Sequence, residues 1–449
     1  MNSGYSVPRL LWVFWLLPIV TLNARTSLPE LAEEAARSTG SPGHARAFDA
    51  FLTALQRHPP PSQDEHLHLA WAGFLLAEND ADRARVLSVA SSIPTARARM
   101  LIGSFREFPA LRTAYTAADR AHSALILKPE TASVKKRHPR ELYGSNPFDA
   151  PFSEDRWEDP HGVVGRWQGA QATLDLIAYP AGNFLGLVHS PKGSPLRLFG
   201  TLKETELRLI GASSDGRLAG GRLELTLAGR SHTLVRTPVG VTSFSKRPAG
   251  ALVLLDDTTG QKHFRHAKGE AAWRSLPGGI LEIDPTKGSL FTRQAFTDLR
   301  GYLEFRHAYN SESLGPRRGN SGLYLFNTYE VQLVDSFGLP PSETSAGSVY
   351  HIAAPQFAAS APPLEWQSVE FSFRAPRFDA TGKKTENARL SLRFNGVLVH
   401  DDLEIPNPTA GSVAGGRALE DPAPPQPLML QNHGNRLQFR NIWILPVEN

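Results

Sequence analysis

The sequence predicts a multidomain α+β protein: an N-terminal α-helical region, a small antiparallel β domain and a C-terminal β-sandwich. Three observations predict it. Apolar residues recur at three- and four-residue steps up to Leu125, then in short alternating runs from about Val163, then in longer alternating runs from about Ala251. A chain of 449 residues has room for about three domains at roughly 150 residues each. Its 37 Gly and 35 Pro exceed ordinary usage, which favours short strands joined by many turns and argues against an all-helical chain.

Composition excludes several functions. Hydrophobic residues at 41% and charged residues at 20% rule out wholesale disorder and a polytopic membrane protein. The net charge of +4 is scattered, with Lys135-Lys136-Arg137 the longest basic cluster, so nucleic acid is not an expected partner. Without cysteine there are no disulfides, thiolate metal sites or cysteine nucleophiles.

Residues 1–24 read as a secretory signal peptide: Arg9 precedes the apolar run from Leu10 to Leu22, which ends near Asn23-Ala24. The run contains Pro18 and is shorter than the ~20 residues that span a bilayer. No later stretch reaches membrane length. The expected location is therefore extracytoplasmic, periplasmic or secreted.

Residues 25–128 form the helical domain. Leu31 and Ala35, then Phe48, Phe51, Leu52 and Leu55, define two helices meeting at Gly40-Ser41-Pro42-Gly43. Pro59-Pro60-Pro61-Ser62 stops the second, and Leu67, Trp71, Phe74 and Leu75 build another apolar face. His66 and His68, two positions apart, point about 200° apart on a helix and do not chelate one ion. This domain is assigned to packing or to contact with a partner such as the cell surface. Residues 129–160, with Asn146-Pro147 and little periodicity, read as a linker.

Residues 161–245 carry five short runs, among them Leu174 to Ala178, Phe184 to Val188 and Arg222 to Leu227, separated by turn formers. A small antiparallel sheet or barrel is expected. No pair of carboxylates or histidines converges by spacing, so a structural role is preferred over sugar binding.

Residues 251–449 hold the candidate chemistry. In β-strands, alternate residues face opposite sides. Leu303 and Phe305 suit a core while Tyr302, Glu304 and Arg306 share the other face; Val331 and Leu333 go inward while Glu330 and Gln332 go outward. Two strands thus offer carboxylates on one polar side. Asn395-Gly396, between Leu390 to Phe394 and Val397 to His400, is a strong hairpin signal. A two-sheet sandwich with one polar concave face suits a hydroxyl-rich sugar.

Within this block the run Asn320-Ser321-Gly322-Leu323-Tyr324-Leu325, the heptad Tyr329 to Asp335, Gly347-Ser348-Val349-Tyr350, Trp366, Asn395-Gly396, Leu430 to Asn435 and Phe439 to Ile444 resembles the 3-keto-disaccharide hydrolase domain family, in order and spacing. The resemblance covers about residues 251–449. It implies a concanavalin-like jelly roll and action on glycosides whose C3 hydroxyl has been oxidised to a ketone. Such a ketone acidifies C2–H, so a base removes that proton, the C1 substituent leaves by elimination, and water adds back. The route needs a base, a group stabilising the enolate oxygen, and an acid or metal near the leaving group.

Glu330 is the candidate base, against an exposed strand glutamate or an ion pair with Arg440 or Arg306. Gln332 holds a sugar hydroxyl or is ordinary surface. Asp335 joins Glu330 only through a bulge. Related jelly-roll glucanases space three carboxylates as Glu330, Gln332 and Asp335 are spaced, and the amide at Gln332 departs from that pattern. His433 is an acid, a metal ligand or a brace for its loop. Tyr302, Glu304, Arg306, Asn320 and Arg440 are the candidate substrate-binding residues; Arg440 alternatively pairs with a glutamate, and Asn320 alternatively caps a turn. No metal motif is present, and a divalent ion held by Glu, His and Asp stays open. The rival reading is a secreted carbohydrate-binding protein without catalysis.

Overall fold

The computed structural model describes residues 26–95, 97–105, 108–126, 155–190, 194–203, 205–240, 246–313, 315–409 and 421–447. The signal segment, residues 129–154 of the linker and the cluster at 135–137 lie outside them.

Six helices come first among the described residues: α1 (Leu28–Ser38), α2 (His44–Arg57), α3 (Gln63–Leu76), α4 (Asp80–Ser92), α5 (Ala98–Ser104) and α6 (Arg112–Ile126). Their starts follow from side chains that satisfy otherwise unpaired amides. Ser27 and Glu30 form a reciprocal capping box on α1, Ser62 accepts from the Glu65 amide at α3, and Asn79 accepts from the Asp82 amide at α4. Phe48, Phe51, Leu52 and Leu55 of α2 are fully buried. The sequence shows one apolar face on α3, yet Leu67, Leu69, Ala70, Trp71, Ala72 and Leu75 are all buried, because a second layer covers the other side. No helix among the described residues is long and apolar enough to cross a membrane.

That second layer is a closed antiparallel barrel of β1 (Gly165–Gln168), β2 (Thr173–Tyr179), β3 (Asn183–Val188), β4 (Leu196–Lys203), β5 (Glu206–Gly211), β6 (Ser214–Ala219), β7 (Arg222–Leu227) and β8 (Arg230–Thr237), shut by β1 pairing with β8. Leu174, Leu176, Leu198, Leu209, Leu223 and Leu234 fill its interior. Ile177, Tyr179, Leu185, Phe199 and Ile210 face outward into the helices' core, and Trp71 meets Tyr179 with ring centroids 6.4 Å apart. His68 Nδ1 lies 2.8 Å from the Ala181 carbonyl, so this histidine docks the helices on the barrel. Asp175 on β2 gathers Arg166 and His189, at 2.8 and 2.7 Å, a convergence that strand spacing alone did not show.

The rest is a sandwich of β9 (Leu252–Leu255), β10 (Phe264–Arg265), β11 (Arg274–Leu276), β12 (Ile280–Glu282), β13 (Leu290–Thr292), β14 (Leu299–His307), β15 (Gly322–Leu325), β16 (Tyr329–Gln332), β17 (Gln367–Arg374), β20 (Ala388–Phe394), β21 (Val397–Ile405), β22 (Met429–Leu430) and β23 (Leu437–Pro446), with β18 (Arg377–Phe378) and β19 (Lys384–Glu386) paired apart as a two-stranded ribbon. One sheet runs β10-β13-β22-β15-β16; the other runs β11-β12-β23-β14-β17-β20-β21, with β9 added on β23. Leu323, Leu325 and Val331 from the first share one core with Leu303, Phe305, Phe371 and Leu390 from the second. The β20–β21 hairpin turns at Asn395-Gly396 with both φ angles positive, +50° and +79°, as a tight two-residue turn requires. Gln356, in the 353–363 segment, donates its amide to Val399 on edge strand β21.

Both ends of the barrel chain are tied to the sandwich. On entry, Arg156 pairs with Tyr309, and Asp155 accepts from Asn310, Asn435 and the Arg436 amide. On exit, the Val239 and Gly240 amides both donate to Glu365.

Candidate functional site

The site starts from a rung of the β15–β16 ladder on which Tyr324 faces Glu330. Their neighbours Leu323 and Val331 point into the sandwich core, so strand alternation puts Tyr324 and Glu330 on the outer face of the smaller sheet. The Tyr324 hydroxyl donates to Glu330 Oε2 at 2.8 Å and accepts from Gln431 Nε2 at 3.2 Å. The Glu330 amide donates to Thr409 Oγ1, and the Tyr350 amide donates to the Glu330 carbonyl.

Glu330 is 3% exposed and, among the described residues, has no cation beside it. Desolvation disfavours its anion, and with only the Tyr324 hydrogen bond opposing, the carboxyl is pushed up to about 7. Burial and the neighbouring carboxylate raise the Tyr324 phenol, which stays a neutral donor. Among the described residues Oε1 accepts no hydrogen bond. It lies instead toward Gly322, where a Cβ would come within 2.6 Å of it. A carboxyl poised near neutrality with one oxygen held by a hydrogen bond and the other without one among the described residues is suited to proton transfer. Tyr324, Gln431 and Gly322 belong to the motifs quoted above, but nothing in strand period identified them as partners of Glu330.

Gln332 shares the Glu330 face, opposite Gly322, and its Oε1 accepts from the Leu333 amide at 3.0 Å. The other candidates part company. Leu333 and Val334 both enter the core, so the phase does shift before Asp335 as a bulge would shift it. Asp335 nevertheless pairs with buried Arg318 at 3.1 Å, and Arg318 also donates to the barrel carbonyl of Ala178. Among the described residues Asp335 and Glu330 share no hydrogen-bonding partner, and Asp335 serves the junction with the barrel.

Tyr302, Glu304, Arg306 and Arg440 stand on the outer face of the larger sheet, across the core from Glu330. The expectation that Glu304 and Glu330 share a side is therefore corrected: alternation separates inside from outside but does not say which of two outer faces a strand presents. Glu304, wholly buried, accepts from Arg440 at 2.7 Å, Asn441 at 2.8 Å and Tyr302 at 3.0 Å. Asn441, at φ +48°, is the extra residue that shifts register between Tyr302 and Glu304 and aims an amide at that carboxylate. The glutamate that pairs with Arg440 is Glu304, not Glu330.

Asn320 is buried, and its amide donates to Asn435 Oδ1 at 3.0 Å. His433 is half-buried in the loop after β22, and among the described residues its Nδ1 has no hydrogen-bond partner. Gln431 of the same loop anchors to Gly322 through its amide, at 2.9 Å. Among the described residues no three His, Asp or Glu side chains gather as metal ligands, so Glu330, Asp335 and His433 do not make a metal set.

Residues 250–445 match the 3-keto-alpha-glucoside-1,2-lyase-like domain family. Two crystal structures, each of a "putative glycosyl hydrolase" from Parabacteroides distasonis ATCC 8503, resemble the chain. One, at 28% identity and TM-score 0.42, has 85% of its length covered by 44% of this chain. The second, at 16% identity and TM-score 0.32, has 95% covered by the same share. No curated protein matches. The matched residues carry the strands of both sheets, Glu330 and Tyr324, while the helices and the barrel lie outside them.

Proposed function

We propose that the chain is a glycoside-cleaving enzyme acting on 3-keto-glycosides or 3-keto-disaccharides, with a concanavalin-like jelly roll as its catalytic domain. The observation that carries the reading is Glu330: buried, without a cation beside it among the described residues and near neutrality in pKa, inside a stretch matched to a 3-keto-alpha-glucoside-1,2-lyase-like domain family. Ionised Glu330 takes the C2 proton, acidified by the C3 ketone. The C2–H electrons form the C1–C2 double bond as the C1–O bond breaks, and the aglycone leaves with a proton from solvent or from a neighbouring acid. Water then adds at C1 while protonated Glu330 returns its proton to C2, so the sum is hydrolysis. Tyr324, donating to Oε2, holds the carboxylate with Oε1 toward substrate. Residues 1–24 act as a secretory signal, supported by the apolar run after Arg9, and place the enzyme outside the cytoplasm.

The test incubates the full chain with a 3-keto-disaccharide and follows released sugar. Release that disappears in Glu330→Gln, with substrate binding retained, supports the enzyme. Binding without release in the unaltered chain would establish the carbohydrate-binding reading instead.

A further inference from the structure

The outer face of the larger sheet carries a ladder of alternating arginines and indoles. Arg436 Cζ lies 5.5 Å from the Trp157 ring centroid, and Arg306 Cζ lies 5.3 Å from the same ring and 4.8 Å from that of Trp366. Arg440 Cζ lies 3.9 Å from Trp366. Such contacts desolvate a guanidinium without neutralising it.

The charges are unevenly matched. Arg440 has Glu304, and Arg436 has Glu282 at 2.7 Å. Glu282 also takes Arg274 at 2.9 Å and Gln438 Nε2 at 2.7 Å. Arg306, in the middle, donates Nε to Gln438 Oε1 at 2.8 Å, and among the described residues no carboxylate lies within ion-pair distance of it. Burial and the charge of Arg440 both press its pKa down. The whole row is half-buried, so its edge meets solvent.

We infer that Arg306, held between Trp157 and Trp366 with its Nε already engaged, forms a binding site for a carboxylate-bearing ligand on the face of the sandwich opposite Glu330. The two Nη atoms of a guanidinium match the two oxygens of a carboxylate, and a half-buried cation whose desolvation is only partly offset by Glu282, beyond ion-pair distance, gains more from such a partner than one in open water. The inference does not depend on the proposed reaction.

The test titrates the full chain with glucuronate at constant ionic strength by calorimetry, with glucose as the neutral control. Saturable binding of glucuronate, absent for glucose, is expected; it should weaken at least tenfold in Arg306→Gln, fall to an intermediate value in Arg306→Lys, and persist in Glu330→Gln. No saturable binding by the unaltered chain overturns the inference whatever the variants do. Equal affinity in Arg306→Gln, or loss in Glu330→Gln instead, overturns it too.

Discussion

Across one rung of the β15–β16 ladder the Tyr324 hydroxyl donates to Glu330 Oε2 at 2.8 Å, and this is the only hydrogen bond that opposes the desolvation of Glu330 among the described residues. The carboxyl's ionisation is thus set by a balance of two effects. Replacing the hydroxyl removes one of them. Tyr324→Phe should move the acidic limb of the pH–rate profile above about 7, so turnover falls more at pH 6 than at pH 9. A profile unchanged in position would mean that Tyr324 does not control the group being titrated.

Glu330 itself links activity to stability. Its folded pKa near 7 stands above the ordinary 4.5, so the folded state binds this proton more tightly than the unfolded chain does. Stability from this group is therefore complete below pH 4.5 and is lost as pH rises through 7. A shift of that size corresponds to about 3 kcal/mol. Glu330→Gln should be more stable than the unaltered chain at pH 8, by up to about 3 kcal/mol, and indistinguishable from it at pH 4. Urea unfolding at the two pH values measures this. The same variant should lose on the order of 10²- to 10⁴-fold in turnover.

What was legible in the sequence was set by the range of the interactions involved. The Asn395-Gly396 hairpin and the alternation of Leu303 with Glu304 and of Val331 with Glu330 are local, and the structure has them. The pairing of Asp335 with Arg318, 17 residues away across the β15–β16 hairpin, and the two different faces taken by Glu304 and Glu330 depend on which sheet each strand joins, and that is a long-range choice. The apolar outer face of β2 misleads in the same way, since Ile177 and Tyr179 look like core residues but face the helices. At the site, Glu330 was visible because it interrupts an apolar strand, whereas Gln431 reaches Tyr324 from a segment 107 residues later.

Glu304 gives a prediction about stability rather than chemistry. Removing Arg440's charge leaves a wholly buried carboxylate with two neutral donors, Tyr302 and Asn441. Breaking one side of a buried pair costs about 3–5 kcal/mol, and Arg440, being partly exposed, places this case toward the lower figure. Arg440→Met should therefore destabilise by about 3 kcal/mol, and adding Glu304→Gln should recover part of that loss. A double variant no more stable than Arg440→Met would show that the pair is not what the arginine supports.

Gly322 offers the sharpest test of carboxylate placement. Its φ is not in the left-handed region, so the backbone there accepts alanine without conformational strain. The added Cβ would instead lie 2.6 Å from Glu330 Oε1 and 3.0 Å from Cγ, far inside contact distance, and the glutamate must turn away. A displacement of about 1 Å in a catalytic group costs roughly 100-fold in rate. Gly322→Ala should therefore lower kcat by about that factor while leaving KM within a few-fold. Shortening the acid makes room again, so Gly322→Ala combined with Glu330→Asp should be at least as active as Glu330→Asp alone. If the alanine instead costs the same factor in both backgrounds, the clash that matters is with the Tyr324 ring, whose Cε2 would stand 3.0 Å from the new Cβ, and not with the carboxylate.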